Sequence, residues 1–64
     1  MLNLNIEEYY FENDYTYSVM IDNEIYYLNE KENKLNKQDS NYFIEISEEE
    51  KKFIINECLK DLPF

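Results

Sequence analysis

The chain has 64 residues and a formal net charge of −9, because 15 acidic residues face only six lysines, and it contains no Arg, His, Trp or Gly. A chain of this length buries only about 60% of the surface that its unfolded form exposes, so we expect a single small domain, residues 1–64, with a thin core. The composition excludes histidine as a base or ligand, a glycine-rich phosphate loop, a cysteine-based zinc site and an internal disulfide framework.

The first predicted element is an antiparallel strand over about residues 2–11. Leu2, Leu4 and Ile6 alternate with asparagines, the period-two pattern of a strand with one buried face. A short helix from Asn5 is the alternative, because Asn5 with Glu8 three residues later resembles a capping box. We favour the strand. Its register is open by one residue, and a shift of one residue would exchange its two faces.

A β-hairpin is predicted over residues 15–21 and 24–29, because large apolar residues alternate with small or polar ones in the first run and β-branched and aromatic residues fill the second. Asp22 and Asn23 between them tolerate the positive φ of a two-residue turn. The turn pairs Val19 with Tyr26, Tyr17 with Leu28 and Met20 with Ile25. The core face of the hairpin then consists of Tyr15, Tyr17, Val19, Ile21, Tyr26 and Leu28. The other face presents Thr16, Ser18, Met20, Ile25 and Tyr27.

The C-terminal half predicts a loop, a strand and a helix. Residues 29–41 are polar apart from Leu35 and indicate a solvated loop, and residues 42–46 a fourth strand. Ser47 and Glu50 form a capping box for a helix over about residues 48–61. Its apolar positions recur at helical spacing: Ile54, Ile55, Cys58, Leu59 and Leu62, with Pro63 ending the helix.

These elements predict an α+β fold, an antiparallel sheet of three to four strands with one C-terminal α-helix packed on one face. The apolar stripe of the helix is expected to lie on the core face of the hairpin. The contact residues are expected to be Ile55, Leu59 and Leu62 on the helix and Tyr17, Val19, Tyr26 and Leu28 on the sheet.

No segment predicts an enzyme, a cofactor site or a metal site. Cys58 belongs to the apolar stripe and has no histidine to deprotonate it, so it is expected to be a buried structural thiol. Paired carboxylates such as Glu7 and Glu8 would need burial in a cleft to act as acid and base, and a chain this short has little room for one. The run Asp22-Asn23-Glu24 lacks the glycine and the spacing of a calcium loop.

The tyrosines indicate an exposed contact surface. Seven tyrosines exceed what one thin core needs, and the adjacent pairs Tyr9-Tyr10 and Tyr26-Tyr27 must each send one ring away from the other. Strand propensity alone accounts for half-exposed tyrosine, whereas interface hot spots are the functional alternative. One helix covers only one face of a sheet, so an apolar patch with an acidic rim should remain outside the core. The expected partner-binding residues are Glu8, Asp14, Met20, Asp22, Glu24, Ile25 and Tyr27.

The acidic residues are concentrated in the N-terminal half. Residues 1–30 hold seven acids and no base, and so carry −7 of the net charge of −9. An acidic surface usually just keeps a small protein soluble. Here, however, the acids flank aromatic residues instead of alternating with lysines, and such carboxylates can imitate the phosphate field of a duplex. The charge argues against direct binding to nucleic acid, which needs a basic patch.

In size, acidity, aromatic content and richness in amino acids that have A/T-rich codons (Asn, Lys, Ile, Tyr and Phe supply 33 of 64 residues), the chain resembles small phage-encoded inhibitors of host defence, the anti-CRISPR and anti-restriction proteins among them. The resemblance implies stoichiometric binding to a nucleic-acid-processing enzyme without catalysis. The expected partner is a basic nucleic-acid-binding protein, such as a CRISPR effector or a restriction enzyme.

Two alternatives remain open at this point. The first is an antitoxin or immunity-like partner, or a small regulatory subunit. The second is a structural homo-oligomeric module, in which a homodimer would bury the same apolar patch. The sequence has no signal-peptide pattern and no apolar run of membrane length, so we expect a cytoplasmic protein of a bacterial cell, without a membrane partner and with Cys58 reduced.

Overall fold

The computed structural model describes residues 4–13 and 16–60, and within them the chain forms a five-stranded antiparallel sheet and a C-terminal helix. The elements are β1 (Ile6–Asn13), β2 (Thr16–Ile21), β3 (Glu24–Asn29), β4 (Lys34–Lys37), β5 (Phe43–Glu45) and α1 (Glu48–Lys60). Each strand pairs with the next along the chain, in the order β1-β2-β3-β4-β5. The α+β class is confirmed, whereas the expected number of three to four strands is too low.

The N-terminal segment is a strand, as favoured, and not a helix from Asn5. β1 pairs with β2 in a register that joins Tyr9 to Val19 and Tyr10 to Ser18. Irregularities lie between Ile6 and Glu8 and between Phe11 and Asn13. Such bulges change which residues share a face. Leu2, also expected in this strand, lies outside the described residues.

The hairpin of β2 and β3 forms as predicted, with Val19 opposite Tyr26 and Met20 opposite Ile25. Asp22 and Asn23 make the turn with φ of 51° and 65°. Positive φ at both central residues is the feature of a type I′ turn, whose twist matches that of the flanking strands. Tyr15, which was expected to begin the core face, lies outside the described residues.

The prediction of a solvated loop over residues 29–41 is wrong in its middle, where β4 forms. Leu35 is fully buried there and pairs with Leu28 on one side and Ile44 on the other. A single apolar residue in a polar run shows no periodic pattern, so the sequence of this segment does not indicate a strand. Only pairing with β3 and β5 makes β4 a strand. β5 begins at Phe43, one residue later than predicted, and Tyr42 is 57% exposed.

The core lies between α1 and one face of the sheet. It consists of Tyr17, Val19, Ile21, Tyr26, Leu28, Leu35, Ile46, Ile54 and Cys58. Ile54 and Cys58 are the fully buried residues of the helix, while Ile55 and Leu59 pack at the margin of the core. The expected helix–sheet packing is therefore present, but it centres on Ile54 and Cys58. Leu62 and Pro63 lie outside the described residues.

The start of α1 follows the predicted capping box. The Ser47 N–H donates to Glu50 Oε1 at 3.0 Å, and the Glu50 N–H donates to Ser47 Oγ at 3.1 Å. The reciprocal bonds satisfy backbone donors that the first turn leaves unpaired. Over the described part of the chain, no helix has both the length and the apolar character that crossing a bilayer requires.

Candidate interaction site on the open sheet face

The face of the sheet opposite α1 carries the candidate site. Directly paired residues of antiparallel strands share a face, so the register assigns each side chain to one side. One row crosses all five strands, and shorter rows cross the first three and the last three. We call this surface the open face. It consists of Glu8, Tyr10, Glu12, Ser18, Met20, Ile25, Tyr27, Asn29, Lys34, Asn36, Phe43 and Glu45.

The three apolar residues that were expected to form a patch come together on this face. Met20 and Ile25 are cross-strand partners, and Tyr27 lies beside them on β3, opposite Ser18. Each of the three is half-buried. The patch is larger than expected, because Tyr10 lies in the same row on β1 and Phe43, 42% exposed, ends that row on β5.

Each tyrosine pair divides between the two faces, as strand geometry requires. Tyr10 and Tyr27 lie on the open face, whereas Tyr9 and Tyr26 lie on the core side. Burial is the main cause that raises the pKa of Tyr9, and the negative charge of Glu57 raises it further. Burial likewise raises the pKa of Tyr26. The adjacent pair Tyr9-Tyr10 was thus the sequence signal from which Tyr10 could have been predicted as part of the site.

The carboxylates of Glu8 and Glu12 stand at the β1 end of the open face. Glu8 is paired with Met20 and accepts a hydrogen bond from the Tyr10 hydroxyl. Glu12 Oε1 accepts a hydrogen bond from Ser18 Oγ at 3.1 Å, and Ser18 is fully buried beneath its neighbours. Sequence reasoning missed Glu12, because the bulge between Phe11 and Asn13 decides on which side it lies.

Three other acids were expected at the rim of the patch, namely Asp14, Asp22 and Glu24. Asp22 is exposed in the β2–β3 turn, and Asp14 lies outside the described residues. The structure places Glu24 on the core side, because the two-residue turn sets it opposite Ile21. There its carboxylate forms an ion pair with Lys37 Nζ at 2.8 Å, and the bond to Glu24 raises the pKa of Lys37.

The lysines neutralise acids in other parts of the molecule. Lys34, Lys51 and Lys60 form ion pairs with Glu32, Glu48 and Glu57, respectively. The three glutamates of β1 have neutral donors instead, since Glu7 accepts the Asn23 N–H at 2.9 Å and Glu8 and Glu12 are bonded to hydroxyl groups. Within residues 4–13 and 16–60, no lysine forms an ion pair with any of these three. Hydrogen bonds therefore orient these three carboxylates, but no lysine of the described residues neutralises their charge.

The β4 and β5 end of the open face differs in charge and shape. Lys34 is the cation there, and its Nζ lies 4.3 Å from the centre of the Phe43 ring. The Tyr27 hydroxyl accepts a hydrogen bond from Gln38 Nε2 at 3.2 Å. A shallow depression of about 610 Å³ adjoins Tyr27 and Asn36. The face thus runs from an acidic side without a paired lysine among the described residues, through an aromatic and apolar centre, to a side where Lys34 lies opposite Glu45 and forms an ion pair with Glu32.

Among the residues that the structure describes, no three Cys, Asp or Glu side chains converge as metal ligands. No protein-family model, curated protein or solved structure matches the chain. The function of the open face is therefore inferred from its geometry and charge.

Proposed function

We propose that this protein binds and inhibits a basic, nucleic-acid-handling protein of the bacterial cytoplasm, in the manner of anti-CRISPR and anti-restriction proteins. The observation that carries the proposal is the position of Glu8 and Glu12. Their carboxylates lie beside the aromatic and apolar centre of a sheet face that no element of the described residues covers, and no lysine among those residues pairs with them. The partner supplies the missing cations.

The anatomy of the open face supports this function. An apolar centre flanked by charge is typical of protein interfaces, and tyrosine is enriched among hot-spot residues. Here Met20, Ile25 and Tyr27 supply the centre. Hydrogen bonds within the chain already orient the Glu8 and Glu12 carboxylates, so binding costs less side-chain entropy than it would for freely rotating acids.

Electrostatics supports a partner that handles nucleic acid. A groove that binds phosphates is lined with Lys and Arg. Carboxylates on a rigid sheet attract such a groove, accelerate association and compete with the nucleic acid for the same cations. The inhibitor acts by occupying the groove and performs no chemistry.

The test is affinity capture from a host lysate followed by competition. The wild-type chain should recover a nucleic-acid-processing enzyme, release it as salt is raised, and prevent it from binding its DNA or RNA. The double variant Glu8→Gln, Glu12→Gln should associate more slowly. The matched control is Asp39→Asn, Glu49→Gln, which removes the same charge from exposed positions in the β4–β5 turn and in α1.

Two results would contradict the proposal. One is capture that recovers no nucleic-acid enzyme, and the other is an inhibited enzyme whose association rate responds equally to both double variants. A homo-oligomer in light scattering that dissociates on Tyr27→Ala would favour the structural-module alternative, because the open face would then be covered by a second copy.

A further inference from the structure

The outer edge of β1 is a second feature that points to a partner. β1 is the first strand in the sheet order, and no strand of the described residues pairs with its outer side. A groove of about 550 Å³ runs along it, lined by Glu7, Glu8, Tyr9, Tyr10, Phe11 and Glu12. The opposite edge, β5, has only three residues and offers much less backbone.

The alternation of hydrogen bonds identifies which backbone groups face this groove. In an antiparallel sheet, a residue directs both its N–H and its C=O to the same neighbouring strand, and the next residue directs them to the other. The two-residue turn makes Ile21 and Glu24 a hydrogen-bonded pair, so Ser18 and Met20 bond to β1. Tyr9 and Phe11 therefore direct their N–H and C=O groups outward.

Two bonds elsewhere in the sheet agree with this alternation. The Gln38 N–H donates to the Ile25 carbonyl at 2.9 Å, on the side of β3 that faces β4. The Lys37 N–H donates to the Tyr42 carbonyl at 2.9 Å, on the side of β4 that faces β5. By the same alternation, Phe43 directs its backbone groups to the open edge of β5.

We propose that the outer edge of β1 receives an extended, basic segment of the partner as an added antiparallel strand. The inference rests on the proposed function in one respect, namely that the partner is basic. Main-chain bonds to Tyr9 and Phe11 supply the attachment, and side-chain charge supplies the selection.

Charge complementarity identifies the occupant. Glu7, Glu8 and Glu12 line the groove, and no lysine of the described residues pairs with them. On the open face, the partner strand needs Lys or Arg opposite Glu8 and Glu12, which are four residues apart, with a small residue opposite Tyr10 between them.

The helix side of the groove requires apolar residues. The ring of Tyr9 meets that of Phe53 on α1 edge-on, with ring centres 6.2 Å apart, although Phe53 is still 48% exposed. Apolar side chains opposite Tyr9 and Phe11 would extend over this ring and bury it further. The partner segment therefore alternates basic, apolar, small, apolar and basic residues.

A second copy of this chain is disfavoured at the same edge. The symmetric register that places Tyr10 opposite itself sets Glu8 opposite Glu12 on both sides of the axis, and the equally long register that places Tyr9 opposite itself still brings Glu7, Glu8 and Glu12 of both copies to one seam. Like charges in directly opposed positions destabilise a sheet. The bulges on either side of residues 8–11 also limit indiscriminate pairing, which is how natural edge strands avoid aggregation.

The probe is the synthetic peptide Thr-Arg-Val-Thr-Val-Arg-Thr, and its control is Thr-Val-Arg-Thr-Arg-Val-Thr. The two have identical composition, but the control places its arginines on the helix side. We expect the probe to bind in fluorescence anisotropy about tenfold more tightly than the control. Its binding should protect the Tyr9 and Phe11 amides from hydrogen exchange.

Chemical synthesis of the full chain gives a backbone test that leaves every side chain in place. N-methylation of Phe11 removes an outward N–H donor, and N-methylation of Phe43 removes the equivalent donor at the β5 edge. With both chains folded by circular dichroism, the first should lose about tenfold or more in peptide affinity and the second should be unchanged.

Several outcomes would overturn the inference: equal binding of the two peptides, no protection of Tyr9 and Phe11, or equal affinity of the two methylated chains. A homodimer that N-methylation of Phe11 dissociates would assign the edge to a second copy instead. If the probe adds to β1 but the lysate capture recovers no nucleic-acid enzyme, the strand-addition site stands and the proposed function fails. If an enzyme is captured and inhibited equally by both methylated chains, the function stands and this inference fails.

Discussion

The thiol of Cys58 lies 3.6 Å from the backbone carbonyl oxygen of Ser18 and donates a hydrogen bond to it, with both residues fully buried. The contact joins the middle of β2 to the last turns of α1, 40 residues later in the chain. The accessibility of the Cys58 thiol therefore indicates whether the helix is packed on the sheet.

Cys58 should consequently react with thiol reagents only when the helix leaves the sheet. We expect labelling by Ellman's reagent at pH 8 to be at least about 100-fold slower than in denaturant, because the reaction waits for an opening of the structure. The control is the double variant Cys58→Ala, Lys52→Cys, whose thiol occupies an exposed helix position and should label at the rate of a free thiol. Fast labelling of native Cys58 would show that α1 does not stay docked.

The centre of the helix–sheet contact should be Ile54 and not Leu59. Ile54 is fully buried, so Ile54→Ala should lower the free energy of unfolding by about 2–5 kcal/mol. Leu59 is half-buried at the margin of the core, and Leu59→Ala should cost less, roughly 1–2 kcal/mol. Urea unfolding of both variants measures the difference. A larger loss for Leu59→Ala than for Ile54→Ala would mean that α1 packs on the sheet through the face that bears Leu59.

The capping box should contribute measurably to stability. Ser47→Ala removes the oxygen that accepts the Glu50 N–H and should lower the free energy of unfolding by about 1 kcal/mol. Ser47→Asn is the matched control, because asparagine is an equally good cap. Thermal or urea unfolding of the three chains distinguishes these cases, and equal loss in both variants would mean that the cap does not stabilise the helix.

Stability should fall in alkaline solution because of the two core-side tyrosines. Burial raises the pKa of Tyr9 and of Tyr26 in the folded chain. Above the ordinary tyrosine pKa, about 10, the unfolded chain has already released these protons while the folded chain retains them. The free energy of unfolding therefore decreases as the pH rises from about 10 through the raised folded pKa values.

Urea titrations at several pH values between 8 and 11.5 test this dependence. Tyr9→Phe and Tyr26→Phe should each flatten the alkaline decline relative to wild type, and the double variant should flatten it most. The slope with pH is the informative quantity, because it is independent of any constant packing change. A slope identical in all four chains would contradict the assignment.

Tyr27 should be the energetic centre of partner binding. Tyr27→Ala should weaken the complex by about 2 kcal/mol or more if the open face is the interface. Tyr27→Phe should have a smaller effect, since it removes only the hydroxyl that accepts the Gln38 amide. Tyr42→Ala, an exposed aromatic whose ring meets Tyr26 on the core side, is the control. A Tyr27→Ala, Met20→Ser variant that keeps its fold and full inhibitory activity would assign binding to another surface.

Much of the fold is visible in the sequence where the signal is local. The alternation in residues 16–21, the Asp22-Asn23 turn and the Ser47 and Glu50 cap each depend on residues within a few positions of one another, and each forms as expected. The grouping of Met20, Ile25 and Tyr27 follows from the same turn, because a two-residue loop sets the register of both strands.

The tertiary structure alone decided what depends on distant partners. β4 is polar except for Leu35, and it is a strand because Leu28 and Ile44 pair with that leucine from both sides. The bulges of β1 decided that Glu8 shares a face with Met20 and on which side of the sheet Glu12 lies, where it accepts the hydrogen bond from Ser18. Local pattern specifies which backbone conformation a segment prefers. The face on which a side chain lies depends on strand register, and register is set by packing between residues far apart in the chain.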